Sequence, residues 1–237
     1  MMRVAVISDI HGNHYALEKV LLSAKENKVD KLLVLGDIVG YYYSPSKVLS
    51  MLSEWDYDLI RGNHEVLLQQ VLSGKIEISY LTQKYGSGHQ IALDTLSTSE
   101  LDTLTSAPDK KEIVVDGIKM LMCHGSNWDP NQYLYPDTDT KILGRSTEAD
   151  VDFVFVGHSH YPFVFENKNN TLINVGSVGQ SRKQGGISNW VILDVNDKSF
   201  TLQDTSYDVE PLIRDIQKIN PEMDYLTEVL TRNNDRK

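Results

Sequence analysis

Two aspartates, one asparagine and five histidines of this chain stand directly after short apolar runs. Asp9 and His11 follow Val4-Ala5-Val6-Ile7, Asp37 follows Leu32-Leu33-Val34-Leu35, and Asn63 and His64 follow Leu59-Ile60. His124 follows Met120-Leu121-Met122, and His158 and His160 follow the run 151–156. Neutral imidazole, carboxylate and amide oxygen, without thiolate, are the ligands of Mn, Fe, Zn, Co or Ni in an N/O site. The set is too large for one ion and suits two divalent ions that share a bridging carboxylate. Of the seven histidines, His14 and His89 lie outside these clusters, and His89, in Gly86-Ser87-Gly88-His89, is read as a surface residue.

The elements that must position these groups are buried strands, because each apolar run has strand length and ends at the polar cluster. In open α/β sheets ligands bind outside the carboxyl ends of the strands, so five strand exits can converge on one rim. After the first run, Leu17, Val20, Leu21 and Ala24 form the stripe of a helix lying on a sheet. Val48, Leu49 and Leu52 repeat this after the second run, with Ser46 as the expected N-cap. Two such β-loop-α units predict a mainly parallel sheet. Residues 65–107 read as helical, with a capping box at Ser97-Thr98-Ser99-Glu100, and Asp116-Gly117 marks a hairpin between two strands. The loop 125–140 offers Asn127, Trp128, Tyr133 and Tyr135 as substrate-wall candidates. Short strands joined by turns after His160 predict an antiparallel portion.

The tail reads as two short helices broken at Asn220-Pro221, with Pro221 at the start of the second and polar residues from Asn233 onward expected to fray. The expected organisation is one α/β domain over residues 1–205, with a helical insertion at about 65–107. A C-terminal helical tail, 206–237, packs either on the domain or on a partner subunit of a homo-oligomer.

With 237 residues and 41% hydrophobic content the chain can bury a substantial core. The formal net charge of -10 argues against non-specific binding of nucleic acid, which needs a basic surface. One cysteine excludes an intrachain disulfide, and Cys123 reads as a small buried residue at a strand end. Met1-Met2-Arg3, followed at once by a strand, contains no hydrophobic signal region, and no apolar run approaches the ~20 residues of a membrane span. The expected location is cytoplasmic, with no membrane partner.

Taken in order, the clusters resemble the calcineurin-like metallophosphoesterase family, whose pattern is Asp-x-His, Gly-Asp, Gly-Asn-His-Glu or -Asp, His, and Gly-His-x-His. All five blocks are present, from Asp9 to His160, and the details are similar to the small bacterial and archaeal phosphoesterases of that family. The resemblance implies a four-layer α-β-β-α sandwich of two mixed β-sheets flanked by helices. It assigns Asp9, His11, Asp37 and His160 to one metal and Asp37, Asn63, His124 and His158 to the other, with Asp37 as the bridge. It also implies attack on phosphorus by a metal-bridging hydroxide, with His64 near the leaving group or phosphoryl oxygen as acid or hydrogen-bond donor.

The activity expected is that of a phosphoesterase, above all a phosphodiesterase, acting on a small phosphate ester or nucleotide-type substrate. The alternatives are a nuclease or nucleotide phosphatase of the superfamily, or a non-catalytic metal-binding interaction module. Phosphoprotein phosphatases of the superfamily carry Gly-Asp-x-x-Asp-Arg-Gly, where the second Asp supports the histidine and the Arg clamps phosphate. Gly40 and Tyr41 occupy those positions here, which weighs against a Ser/Thr protein phosphatase. The late loop 176–182 can bring backbone N–H groups to a phosphate, with Ser177 and Arg182 as substrate-binding candidates.

Overall fold

A computed structural model describes residues 2–168 and 170–233. Strand β1 (Arg3–Ile7) shows how the layers arise, because successive side chains of an extended chain point to opposite faces. Val4 and Val6 enter one core, while Ala5 and Ile7 enter another. Helix α1 (His14–Glu26) covers the second face with Ala16, Leu17, Val20, Leu21 and Ala24, the stripe expected from the spacing. Asn13 caps it, its Oδ1 accepting from Ala16 N at 3.1 Å. Helix α2 (Pro45–Leu52) begins at Pro45, so Ser44 and not Ser46 stands at the N-cap. Proline at the first helical position has no N–H to leave unsatisfied.

Strand β2 (Lys31–Val34) runs parallel to β1, and β3 (Tyr57–Leu59) parallel to β2. The second sheet starts with the hairpin of β4 (Lys110–Val115) and β5 (Ile118–Cys123), turned at Asp116-Gly117 as expected. To it are added β6 (Phe153–Val156), β7 (Phe163–Glu166) and β8 (Thr171–Asn174), in the order β4-β5-β6-β8-β7. The division into a parallel first half and an antiparallel second half is coarser than the topology. β6 and β8 are parallel, and the hairpin of β9 (Ile187–Asp194) and β10 (Ser199–Ser206) returns to the first sheet, giving β10-β9-β1-β2-β3.

Between the sheets Val4, Val6, Leu33, Leu35 and Val191 meet Met120, Met122, Phe153, Phe155 and Ile173. On the outer face of the second sheet Leu121, Cys123, Val154 and Val156 pack with Leu143 of helix α7 (Thr140–Ser146). The result is a four-layer α-β-β-α sandwich. Between β3 and β4 come α3 (Asn63–Leu72), α4 (Ile78–Tyr85), α5 (Gly88–Thr95) and α6 (Thr98–Ser106), the last closed by the Ser97/Glu100 capping box.

The tail forms α8 (Glu210–Ile219) and α9 (Asp224–Thr231). Pro221 does not open α9, which starts three residues later, and Pro211 lies in the first turn of α8 instead. Leu212, Ile216, Leu226, Val229 and Leu230 pack on Tyr41 and Tyr42, just beyond Asp37. Asn233, expected to fray, pairs with Gln184, whereas 234–237 lie outside the described residues. No described helix is long and apolar enough to cross a membrane.

Candidate metal centre

The five strand exits do converge. One ligand atom each from Asp9, His11, Asp37 and His160 lies within 4.8 Å of the others, and the same holds for Asp37, His124 and His158. Asp37 belongs to both groups. Asn63 joins the second, its Oδ1 3.0 Å from His124 Nε2. Side chains can turn inward so densely because the backbone bends sharply where each strand ends. Asp9, His11, Asp37, His158 and His160 all have φ between 52° and 61°. That left-handed conformation costs a side-chain-bearing residue about 1–2 kcal/mol, and such strain collects at functional sites.

Backbone carbonyls set the tautomers. His11 Nδ1 lies 3.0 Å from Val39 O, His124 Nδ1 2.8 Å from Leu35 O, and His160 Nδ1 2.8 Å from Gln180 O. Each Nδ1–H donates outward, leaving an Nε2 lone pair aimed inward. His11 Nε2 and His160 Nε2 are then 3.2 Å apart with no proton between them, and Asp9 Oδ1, 3.0 Å from His160 Nε2, has no hydrogen-bond partner. Inward lone pairs beside an unpartnered carboxylate oxygen fit a divalent cation. His158 faces in by the other nitrogen, Nδ1, which is 3.2 Å from His124 Nε2.

The electrostatics agree. Burial opposes ionisation of Asp9 and Asp37, yet His160 beside Asp9 and His124 beside Asp37 hold both below the usual carboxylate range. Burial keeps His11 and His158 neutral, pushing them down to about 4 and about 3. His124 goes the other way: burial lowers it, but the adjacent Asp37, 3.3 Å from its Nε2, carries it up to about 10. A cation would have to displace a proton from that Nε2 to use its lone pair. The cluster is a negative field seeking positive charge.

Glu65 ties the turns together. Its carboxylate accepts from the backbone N–H of Asp37, Ile38 and Gly62 at 2.8 Å each and of Val39 at 3.1 Å. Burial and then Asp37 push its carboxyl up to about 7, while the N–H donors favour the ionised form. The GNHE motif made Glu65 visible, but not this bracing role.

His64 lies beside the cluster. Its backbone N–H donates to Asp37 Oδ1 at 2.8 Å, and its ring centroid is 4.9 Å from that of His11. Tyr41 and Tyr85 flank it, with centroids at 5.0 and 4.8 Å. The reading of His89 as a surface residue is corrected: it is fully buried, and its Nε2 lies 3.2 Å from His64 Nδ1. Gly88, just before it, lets the start of α5 approach the backbone of Gly40 and Tyr41.

Of the loop candidates, Tyr133 reaches the site, its ring centroid 4.1 Å from that of His158 and 6.1 Å from that of Tyr135. Trp128 instead packs under Arg145, and Asn127 Nδ2 donates to Arg145 O. Arg182 lies over Tyr133 at 5.8 Å, with a buried Nε that has no partner. The Ser177 hydroxyl donates to Asp9 O at 2.7 Å and accepts from Gln180 N at 2.8 Å, so it braces the loop beneath Asp9. Tyr225, from the tail, was not anticipated; its ring stands 6.4 Å from that of Tyr41.

A sequence profile of the calcineurin-like phosphoesterase superfamily domain matches residues 2–198. An uncharacterized protein of Methanocaldococcus jannaschii is 31% identical over 236 residues, covering 91% of this chain and 92% of the relative. A hypothetical protein of Pyrococcus horikoshii superposes with a TM-score of 0.84 at 20% identity, over 99% of both chains. A metallophosphoesterase from Sphaerobacter thermophilus gives 0.78 at 23% identity, over 97% of this chain and 98% of that one. The two structures share the fold.

Proposed function

Because this chain belongs to the calcineurin-like phosphoesterase superfamily, we propose that it is a dinuclear metal-dependent phosphoesterase, and within that class a phosphodiesterase acting on a small or nucleotide-type ester in the cytoplasm. The observation that carries this reading is Asp37 standing in both ligand groups. Two divalent ions drawn from Mn, Fe, Zn, Ni and Co would supply, when bound, charge for the phosphoryl oxygens and a lowered pKa for the attacking water.

The chain does the rest. Asp9, His11 and His160 hold one end of the site and Asn63, His124 and His158 the other, with Asp37 between them. His64 offers a nitrogen beside the cluster to the leaving oxygen, because its Nδ1 side is already engaged. Tyr41, Tyr85 and Tyr133 place aromatic faces around the centre, and Arg182 adds a cation next to Tyr133. An aromatic rim with a positive group supports a substrate that carries an organic substituent on each side of phosphorus, where stacking adds to charge recognition. The complete ligand set supports a working enzyme over a non-catalytic interaction module.

The test is hydrolysis of bis(p-nitrophenyl) phosphate, p-nitrophenyl phosphate, cyclic nucleotides and single-stranded DNA with Mn, Ni, Co, Zn and Mg in turn. Metal content of an untreated preparation is measured in parallel. Diester turnover that needs metal, with two ions per chain, is expected. A preparation that binds one ion or none, or that hydrolyses no ester with any metal, overturns the reading.

A further inference from the structure

Of the insertion residues beside His64, Tyr85 packs on its ring and His89 meets one of its ring nitrogens. Helix α5 begins at Gly88, and a Cβ on Gly88 would overlap the backbone of Gly40 and Tyr41. Gly40 has φ +89°, and a Cβ there would overlap His64 Nδ1. Glycine at both positions lets the start of α5 rest directly on the loop after Asp37, which puts His89 Nε2 3.2 Å from His64 Nδ1. The two ring planes are within 12° of parallel, with centroids 5.0 Å apart. His89 is fully buried, and the partner it gives His64 is an imidazole, not a carboxylate.

Two facing imidazole nitrogens make a hydrogen bond only if one of them carries a proton. The other ring nitrogen of His89, Nδ1, is buried without a partner. A bare acceptor tolerates that position better than an N–H donor, because buried unmatched donors are the rarer case. The proton therefore sits on His89 Nε2 and is donated to the lone pair of His64 Nδ1. The remaining proton of a neutral His64 is then on Nε2, the nitrogen left to face the reacting ester.

We propose that His89 is a positioning residue, which fixes His64 as the Nε2–H tautomer and holds its ring beside the metal cluster, so that His64 acts as a neutral hydrogen-bond donor. The proposal rests on the phosphoesterase reading for its catalytic consequence, but the tautomer itself does not. A second imidazole suits that task in a way a carboxylate does not: it can donate to Nδ1, whereas an ionised carboxylate can only accept from it. A carboxylate partner would demand Nδ1–H. Tyr41 and Tyr85 flank the pair and limit the ring's rotation.

The test uses zinc-loaded, diamagnetic protein with 15N-labelled histidine, the His64 signals being assigned with His64→Gln. In the unsubstituted protein His64 should show a protonated Nε2 and a bare Nδ1, and in His89→Leu a mixture of tautomers. In the Mn-loaded enzyme His89→Leu should lower kcat on an alkyl or ribose phosphodiester by about 10- to 100-fold, as for lost orienting partners elsewhere. KM, metal content and melting temperature should change little. His89→Gln, whose amide N–H can still donate to Nδ1, should recover much of that loss and guards against misfolding of the leucine variant. Protonated Nδ1 on His64 in the unsubstituted protein, an unchanged tautomer in His89→Leu, or an unchanged kcat each overturns the proposal. Absence of hydrolysis by the unsubstituted enzyme would remove the phosphoesterase reading and leave the tautomer result to stand by itself.

Discussion

His11 and His160 present their Nε2 atoms to each other across 3.2 Å, each with its only proton committed to a backbone carbonyl on the far side of the ring. Two lone pairs so placed repel unless a cation lies between or beside them, and Asp9 and Asp37 supply the compensating charge. Since Asp37 serves both ligand groups, Asp37→Ala should lose both ions together. Elemental analysis after purification decides it: one ion kept at full occupancy, with normal activity, contradicts a shared bridge.

Glu65 gives a prediction about stability independent of metal. Its carboxylate satisfies four backbone N–H groups in the turns that carry Asp37 and Asn63. A buried donor left unmatched costs about 1–3 kcal/mol. Glu65→Ala should therefore destabilise the protein by more than about 3 kcal/mol, or prevent folding. Glu65→Gln should not restore it fully, because its NH₂ would face donors. Urea unfolding in the presence of chelator measures this, and a loss below about 1 kcal/mol would show that water or rearranged backbone replaces the carboxylate.

A pH dependence follows for His89, which faces His64 and Tyr85 and lies in the field of Asp37. Burial pushes it down to about 4 from the usual 6.5. With a depressed folded-state pKa, the unfolded chain takes up the proton first as pH falls. The stability from neutral His89 is complete above about 6.5 and is lost progressively towards 4. Between pH 7 and 4 the unsubstituted protein should lose up to about 3 kcal/mol more than His89→Gln, each measured by urea unfolding. Parallel losses would place His89 in contact with water.

The ligand set was legible because each member is fixed by local sequence: an apolar run ends, and the polar residue sits where the strand leaves the sheet. Asp9, Asp37, His124 and the His158/His160 pair needed no knowledge of distant contacts. His89 was not legible for the opposite reason. It is 25 residues from His64, and its approach depends on Gly40 and Gly88 touching, a tertiary fact with no periodicity in the chain. Tyr225 is further still, brought in because Leu226 and Leu230 bury against Tyr41 and Tyr42. Ser46 fits an N-cap by residue type alone, whereas Pro45 at N1 fixes the cap at Ser44, two residues earlier.

Arg182 carries a buried Nε with no partner, beside Tyr133 and the end of the loop that starts at Gly176. Its guanidinium is a cation held over the ring of Tyr133, which itself packs on His158. Arg182→Ala should raise KM more than it lowers kcat, since contact with a non-reacting part of the substrate contributes similarly to ground and transition states. An unchanged KM for every accepted substrate removes Arg182 from the site.

His64 separates chemistry from metal binding. Asn63 supplies the ligand atom on that turn, so His64→Ala should keep both metals while kcat falls by about 10² to 10⁴, the range for a lost proton or hydrogen-bond donor. The fall should depend on the leaving group. A nitrophenolate departs with little need of a proton, so the loss should shrink for bis(p-nitrophenyl) phosphate and approach its full extent for an alkyl or ribose ester. An equal loss across leaving groups would mean that His64 donates to a phosphoryl oxygen that does not depart. Loss of metal from the variant would instead make the His64 ring a support of the ligand cluster, through its packing against the His11 ring. The donor to the leaving oxygen would then have to come from the rim, where Tyr41 and Tyr85 are the groups already in contact with the ring.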